Sequence, residues 1–286
     1  FLATNAFTAD ADAELKANVE RPGQKLLTGK VRRKGGAWAT SADRLNARLS
    51  HSRFDIRVGT GSFRFRHKTF DLDLEIRTSF KPIRPAGGRV SDGSDDFYVT
   101  TILAPRAVLT GTLTVHSGPG AGETELSGVA YVEHRMGTIE PYNLARSWVN
   151  VRTMDSERTL VSSAFRRPKD EGGGLHGWML YATNKGVELN APAIGIKESG
   201  HKKDGKTDYS VPRALDYTGK NGAKIGTVKV NKLVKRRDDL SALGSMARFV
   251  VERVMKPWTF EFDASFNLTS PGGVSGSTEL IYQRIN

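Results

Sequence analysis

The segment from Arg53 to Phe80 constrains this chain more tightly than any other. Phe54, Ile56 and Val58 alternate with Arg53, Asp55 and Arg57. After Gly59-Thr60-Gly61, Phe63 and Phe65 alternate with Arg64 and Arg66; then Phe70, Leu72, Leu74 and Ile76 alternate with Asp71, Asp73, Glu75 and Arg77. A period of two sends successive side chains to opposite faces of a strand, so each run buries one face and wets the other. Three such runs joined by tight turns make an antiparallel meander. Its outer faces place Arg beside Asp, a pairing across strands that stabilises by roughly 0.2–1 kcal/mol each.

The same texture recurs along the chain. Strand patterns run through Phe97–Leu103, Ala107–Val115, Glu125–His134, Ala145–Thr153, Thr159–Phe165, Gly177–Thr183 and Gly186–Asn190, and return from Trp258 to Leu268 and from Ser277 to Ile285. One helix is predicted: Leu240, Leu243, Met246, Ala247, Val250 and Val254 recur at helical spacing, Asp238 or Asp239 caps the start, and Lys256-Pro257 stops it. Strands at roughly ten-residue spacing with one late helix fit an antiparallel barrel or sandwich. A parallel α/β fold needs several crossover helices, for which there is no room. An antiparallel barrel of about eight strands encloses one small ligand. The count here, about fifteen strands, predicts two barrels, 1–104 and 105–286. The first is short of strands by this count, and an upstream segment is expected to complete it.

Charge and composition narrow the partners. The 286 residues hold 43 Lys and Arg against 31 Asp and Glu, a formal +12. Such an excess attracts polyanions or an anionic membrane surface. Clusters occur at Arg32-Arg33-Lys34 and at Lys232, Lys235, Arg236 and Arg237, but the aromatic interleaving that stacks bases is missing around them, which argues against nucleic acid. Cysteine is absent, which excludes disulfides and thiol chemistry and fits the cytosol, a periplasm or a secreted protein equally. The six histidines never fall two or four apart, and no Walker loop, Gly-x-Gly-x-x-Gly, Gly-x-Ser-x-Gly or His-Glu-x-x-His occurs, so no metal site or cofactor is expected. Oligomeric state is not legible.

The most unusual local text is Tyr131–Trp148, where Glu133 and Glu140 bracket His134 and where Gly137 and Pro141 bend the chain. A carboxylate beside an imidazole does general acid–base work when an apolar cavity tunes both groups; the alternative is a polar connection between strands. Trp148 and Trp178, with Tyr142 and Tyr181, are candidates to line an apolar ligand pocket, or simply core.

Gly137-Thr138-Ile139-Glu140-Pro141 followed by Ala145-Arg146-Ser147-Trp148 resembles the fungal oxidative-stress survival-factor family, as do Asp208-Tyr209-Ser210-Val211-Pro212 and Phe249–Val254 before Lys256-Pro257-Trp258. That family belongs to a wider lipocalin-like group of two barrels, with carotenoid hydratases and fungal pericyclases among its members. The resemblance implies two lipocalin-like barrels and a hydrophobic, often polyunsaturated ligand in a barrel pocket. In hydratase-like relatives one stretch reads Asp-His-Asn-Trp-Gly; here Glu133-His134-Arg135-Met136-Gly137 keeps only the His and Gly, which speaks against hydratase activity. The leading expectation is therefore a non-enzymatic carrier of a lipid or other apolar molecule, linked to stress and docking at anionic membranes. The second is a hydro-lyase or isomerase of a polyene or terpenoid using Glu133, His134 and Glu140. The third is a polyanion-binding module.

Overall fold

A computed structural model describes residues 13–21, 23–33, 45–85, 88–91, 96–139, 141–169, 173–192, 195–219, 222–241, 245–253, 255–269 and 272–285. In chain order the early strands are β1 (Ala13–Val19), β2 (Leu27–Arg33), β3 (Leu45–Leu49), β4 (Ser52–Arg57), β5 (Thr60–Arg66), β6 (Phe70–Arg77), β7 (Arg89–Ser91), β8 (Phe97–Val115) and β9 (Gly122–Gly137). A one-turn helix α1 (Pro141–Leu144) follows, then β10 (Ser147–Met154), β11 (Arg158–Arg166), β12 (Leu175–Thr183), β13 (Gly186–Pro192), β14 (Gly195–Ser199), β15 (Lys202–Lys203), β16 (Ser210–Val211), β17 (Ala214–Thr218) and β18 (Lys224–Asp238). The chain closes with α2 (Ser245–Val251), β19 (Trp258–Leu268) and β20 (Val274–Arg284). The protein is nearly all β.

The sequence reading sets a boundary after residue 104; the structure divides into two compact units that interleave along the chain. One compact unit holds Phe1–Pro82 and Leu103–Val132, and the other holds Ile83–Ile102 and Glu133–Asn286. The reason is strand length: β8 and β9 are each long enough to run from one unit into the other.

In the first unit β4, β5 and β6 form the meander read from the sequence, continued by β8. Phe54, Phe63, Phe65, Phe70, Leu72 and Ile76 line its buried face with Leu113 and Val115 of β8. The outer charges pair as their register dictates: Arg64 Nε stands 2.9 Å and Arg66 Nη2 2.7 Å from the Asp73 carboxylate. Gly111 lies where β8 crosses β6 so closely that a Cβ would sit 2.0 Å from the Asp73 carbonyl oxygen.

The second unit is one nine-stranded sheet in the order β13–β12–β11–β10–β20–β19–β18–β17–β14. Its two edge strands are neighbours in the chain, Pro192 ending β13 and Gly195 beginning β14. Three residues of extended chain reach at most about 11 Å. Laid flat at about 4.8 Å per strand, the edges would stand roughly 38 Å apart. The sheet must therefore curl until its edges approach; a Cβ on Gly219, just after β17, would lie 3.9 Å from the Pro192 carbonyl. The enclosed face carries Val149, Val151, Leu160, Met179, Ile196, Leu215, Val228, Phe260, Phe262, Phe266 and Leu280, with Leu189 and Ala191 of β13 packed against them.

The predicted helix is shorter than its periodicity. Asp238 accepts the Leu240 backbone N–H at 2.9 Å through its side chain, as a cap would, but the chain makes a turn there and α2 begins at Ser245. Residues 242–244 and Val254 lie outside the described residues.

Candidate functional site

The enclosed face of the second unit is apolar through its middle and polar toward its ends, with Tyr181 and Arg158 at one end and a group around Glu198 at the other. Strand alternation puts Leu160, Ser162, Ala164 and Arg166 of β11 on one side, Ile196 and Glu198 of β14, Leu215 and Tyr217 of β17, and Leu280, Tyr282 and Arg284 of β20. The apolar members belong to the enclosed core, so the polar members face the same way. Pairing of Ser147 with both Arg166 and Arg284, and of Trp258 with Arg284, sets the Arg166, Arg284 and Trp258 positions at one level of the barrel.

Glu198 is the centre of this end. Its Oε2 accepts a long hydrogen bond from the Tyr282 hydroxyl at 3.5 Å and lies 3.2 Å from His201 Nε2; its Oε1 lies 3.9 Å from Arg166 Nη2. The carboxylate side chain is 18% exposed, so its charge stands at the margin of water and core. Burial pushes the Tyr282 phenol up from its usual range, and the Glu198 charge adds to the shift. Tyr217 goes further: it is fully buried, and desolvation raises its phenol far above the ordinary value. The Tyr217 hydroxyl has no well-formed hydrogen bond. Ser162, the hydroxyl that tempers the Tyr217 shift, gives its own proton to the Trp178 carbonyl at 2.9 Å. The rim is apolar and half-buried, from Leu175, Tyr209, Leu233 and Trp258. The Arg284 guanidinium lies over the Tyr209 ring, 5.6 Å from its centroid.

Such a layer supplies a carboxylate, two phenols and an imidazole at the end of an apolar core. It can donate to and accept from a hydroxyl or carbonyl, and a carboxylate touching a phenol and an imidazole can pass a proton. The two phenols are themselves under 2% exposed, and below them Phe260, Phe266, Leu160 and Met179, each also under 2% exposed, fill the core. Among the described residues no three His, Asp or Glu side chains gather as a metal site.

The residues singled out from sequence lie elsewhere. Glu133 and His134 are consecutive in β9, so their side chains leave opposite faces and do not form an acid–base pair. Glu133 instead pairs with Arg135 at 2.8 Å, beside the partly buried Tyr98 phenol, while burial lowers the His134 pKa. Glu140 lies outside the described residues, as does the side chain of Tyr142 in α1. Trp148 and Trp178 alternate with core members of β10 and β12 and so face out of the barrel. There Trp148 packs 4.6 Å from Phe165 and 5.7 Å from Tyr98. Trp178, Tyr98, Thr100, Ser163 and Phe165 line a void of about 10 Å³, room for a single water. Tyr181 does face the core, near the Asp155–Arg158 hairpin at the opposite end from Glu198.

Glu198, Tyr217 and Tyr282 were not singled out from sequence. Their signal is a polar residue breaking an apolar period of two, as in Leu160-x-Ser162-x-Ala164 and Ile196-x-Glu198.

No family model matches the chain, and no curated protein sequence does. Solved structures do. An AttH-like protein of Nitrosomonas europaea is 13% identical, with a TM-score of 0.60 over 98% of this chain and 84% of that one. Kievitone hydratase from Nectria haematococca is 12% identical, TM-score 0.54, over 96% and 84%. CghA, solved with Sch210972, is 10% identical, TM-score 0.61, over 97% and 80%. The chain thus has the lipocalin-like two-barrel fold.

Proposed function

We propose that the second barrel binds a small hydrophobic molecule carrying a hydroxyl or carbonyl, at the end where Glu198 meets Tyr282 and His201. The observation that carries this reading is the polar layer: toward one end of the enclosed face, polar side chains of four strands turn inward around the Glu198 carboxylate, which meets a phenol and an imidazole there. A burial cost of roughly 1–3 kcal/mol for an unpaired hydroxyl such as that of Tyr217 is tolerated where a ligand satisfies the group. Two fold neighbours are named for or solved with small organic molecules, kievitone and Sch210972, which supports a ligand of that class. Side chains fill the core, so the ligand seats at the rim of Leu175, Tyr209, Leu233 and Trp258 and displaces part of it.

A second reading rests on the same residues. Contact of one carboxylate with both a phenol and an imidazole favours proton transfer on the bound molecule, as in a hydro-lyase or isomerase, with Glu198 as base and Tyr282 as acid. The sequence resemblance of the residues around Gly137–Trp148 and Lys256–Trp258 to the survival-factor-like group supports adding a stress-linked role to this proposal.

Tryptophan fluorescence titration with farnesol, retinol and a flavanone tests the binding reading, because Trp258 stands on the rim. Saturable quenching, weakened in Glu198→Gln, is expected. No saturable change with any probe counts against it. Isotope exchange from solvent into a bound probe, abolished in Glu198→Gln while binding persists, separates the catalytic reading from the carrier.

A further inference from the structure

Beside this end of the second barrel lies a surface that folding alone leaves unexplained. The residues of β18 up to Lys229 pair on both sides, with β17 and β19, but from Lys232 to Asp238 the strand pairs, among the described residues, only with β19. Its free edge carries Lys232, Lys235, Arg236 and Arg237, and the register shifts twice, between Val230 and Lys232 and between Leu233 and Lys235. Lysines and bulges on an edge are a known defence against strand addition, and that accounts for the charge. It does not account for the apolar groups. Val234 on this edge is 59% exposed, and on α2 Met246 is 82% and Phe249 59% exposed.

The two elements are tied together. Arg248 of α2 reaches Asp238 at the end of β18 and Glu252, each at 2.6 Å. Met246 and Phe249 are three apart on α2 and share one helical stripe, and Arg253 follows in the turn after the helix. The Arg253 guanidinium stands 4.4 Å from the Phe249 ring centroid. Arg236 and Arg237 are occupied by Asp204 and Asp239, whereas Lys232, Lys235, Arg253 and Lys256 make no ion pair among the described residues. Exposed apolar side chains rimmed by unpaired cations complement one kind of partner: an anionic lipid surface, into which the apolar groups dip while the cations meet headgroups. A protein partner of acidic surface would satisfy the lysines but leaves Met246 and Phe249, on a short helix, without a groove.

We infer that the β18–α2 surface docks the second barrel on an anionic bilayer. Lys256 carries the carbonyl that accepts the Tyr209 hydroxyl at 2.8 Å, and Trp258 follows two residues later, so docking sets the rim of the Glu198 site against the lipid. A hydrophobic ligand would then pass between bilayer and barrel without crossing water. The docking step needs no ligand, so its failure and the failure of the binding site are separable.

Co-sedimentation of the full chain with vesicles tests it, comparing pure phosphatidylcholine with vesicles of about one-third phosphatidylserine. Binding to the anionic vesicles alone, weakened by added salt, is expected. Lys232→Ala with Lys235→Ala lowers the partition coefficient by about 30-fold, at roughly a factor of five for each headgroup contact. Met246→Ser with Phe249→Ser lowers it by about tenfold or more. Both pairs are on the surface, and circular dichroism checks that they fold. Absence of binding to anionic vesicles overturns the inference, and so does equal binding to neutral ones. Binding that needs the lysines but ignores Met246 and Phe249, and that heparin reproduces, also overturns it and marks a general polyanion surface.

Discussion

Replacing Tyr217 by Phe should stabilise the second barrel and weaken its ligand. The Tyr217 side chain is wholly buried in the core, and its hydroxyl has no well-formed partner. Ser162, the hydroxyl close to it, already spends its proton on the Trp178 carbonyl. A buried hydroxyl in that position costs about 1–3 kcal/mol relative to a ring that lacks it. Phe keeps the ring and its packing, so the gain is expected at about 1 kcal/mol, the low end, because Ser162 offers partial compensation. For a unit of this size that raises the melting temperature by roughly 2–4 °C. Tryptophan emission is a suitable readout, since Trp148, Trp178 and Trp258 all belong to the second unit. The same variant should bind the ligand about tenfold more weakly, the loss of one hydrogen bond of about 1.4 kcal/mol. A Tyr217→Phe protein less stable than wild type by 1 kcal/mol or more would show that the hydroxyl is satisfied within the fold, and the reasoning that makes it a ligand group would fail.

Other variants probe other parts of the account. Asp204 is nearly buried; burial alone would raise its pKa, but hydrogen bonds from Arg236, Thr207 and the Lys206 backbone win and hold the carboxyl below its usual value. Asp204→Ala should therefore cost about 2 kcal/mol in urea unfolding near neutral pH, tempered by the partial exposure of Arg236. The penalty should shrink below about pH 4, where the unfolded carboxyl takes its proton first and the native contribution is lost. Gly111→Ala drives a methyl onto the Asp73 backbone at 2.0 Å, and it should cost the first unit at least about 3 kcal/mol or abolish soluble expression. Burial holds His134 and His176 below the usual imidazole value, with Arg167 adding to the effect at His176. On acidification through about pH 6.5 the unfolded chain binds those protons first, so stability falls as pH drops. His134→Gln with His176→Gln should flatten that slope in urea midpoints taken at several pH values; an unchanged slope would assign it to other groups.

Much of the architecture was legible because period-two patterning is local. The Phe54–Ile76 meander, its Arg–Asp pairs and the late strands β19 and β20 all follow from alternation read along the chain. The interleaving of the two units was not, because it depends on β8 and β9 each being long enough to run from one unit into the other, and Gly, Thr and Ala within them look like strand ends. The helix was overread: Leu240 and Leu243 keep its spacing, yet the Asp238 side chain is spent on a turn at Leu240. The site failed for a different reason. Glu133 and His134 drew attention by being adjacent, but adjacency in a strand sends side chains apart. Glu198, Ser162, Tyr217 and Tyr282 lie on four strands and meet only because the sheet curls until β13 and β14 approach, which no local pattern reports.

The most direct test is native mass spectrometry with organic extraction, run on wild type, Glu198→Gln and Trp178→Phe after incubation with a lipid extract. The account predicts a discrete small-molecule adduct on wild type and on Trp178→Phe, and its loss or marked weakening in Glu198→Gln. An adduct kept by Glu198→Gln and lost from Trp178→Phe would move the ligand to the outer aromatic cluster and contradict the claim that the Glu198 end of the second barrel is the site.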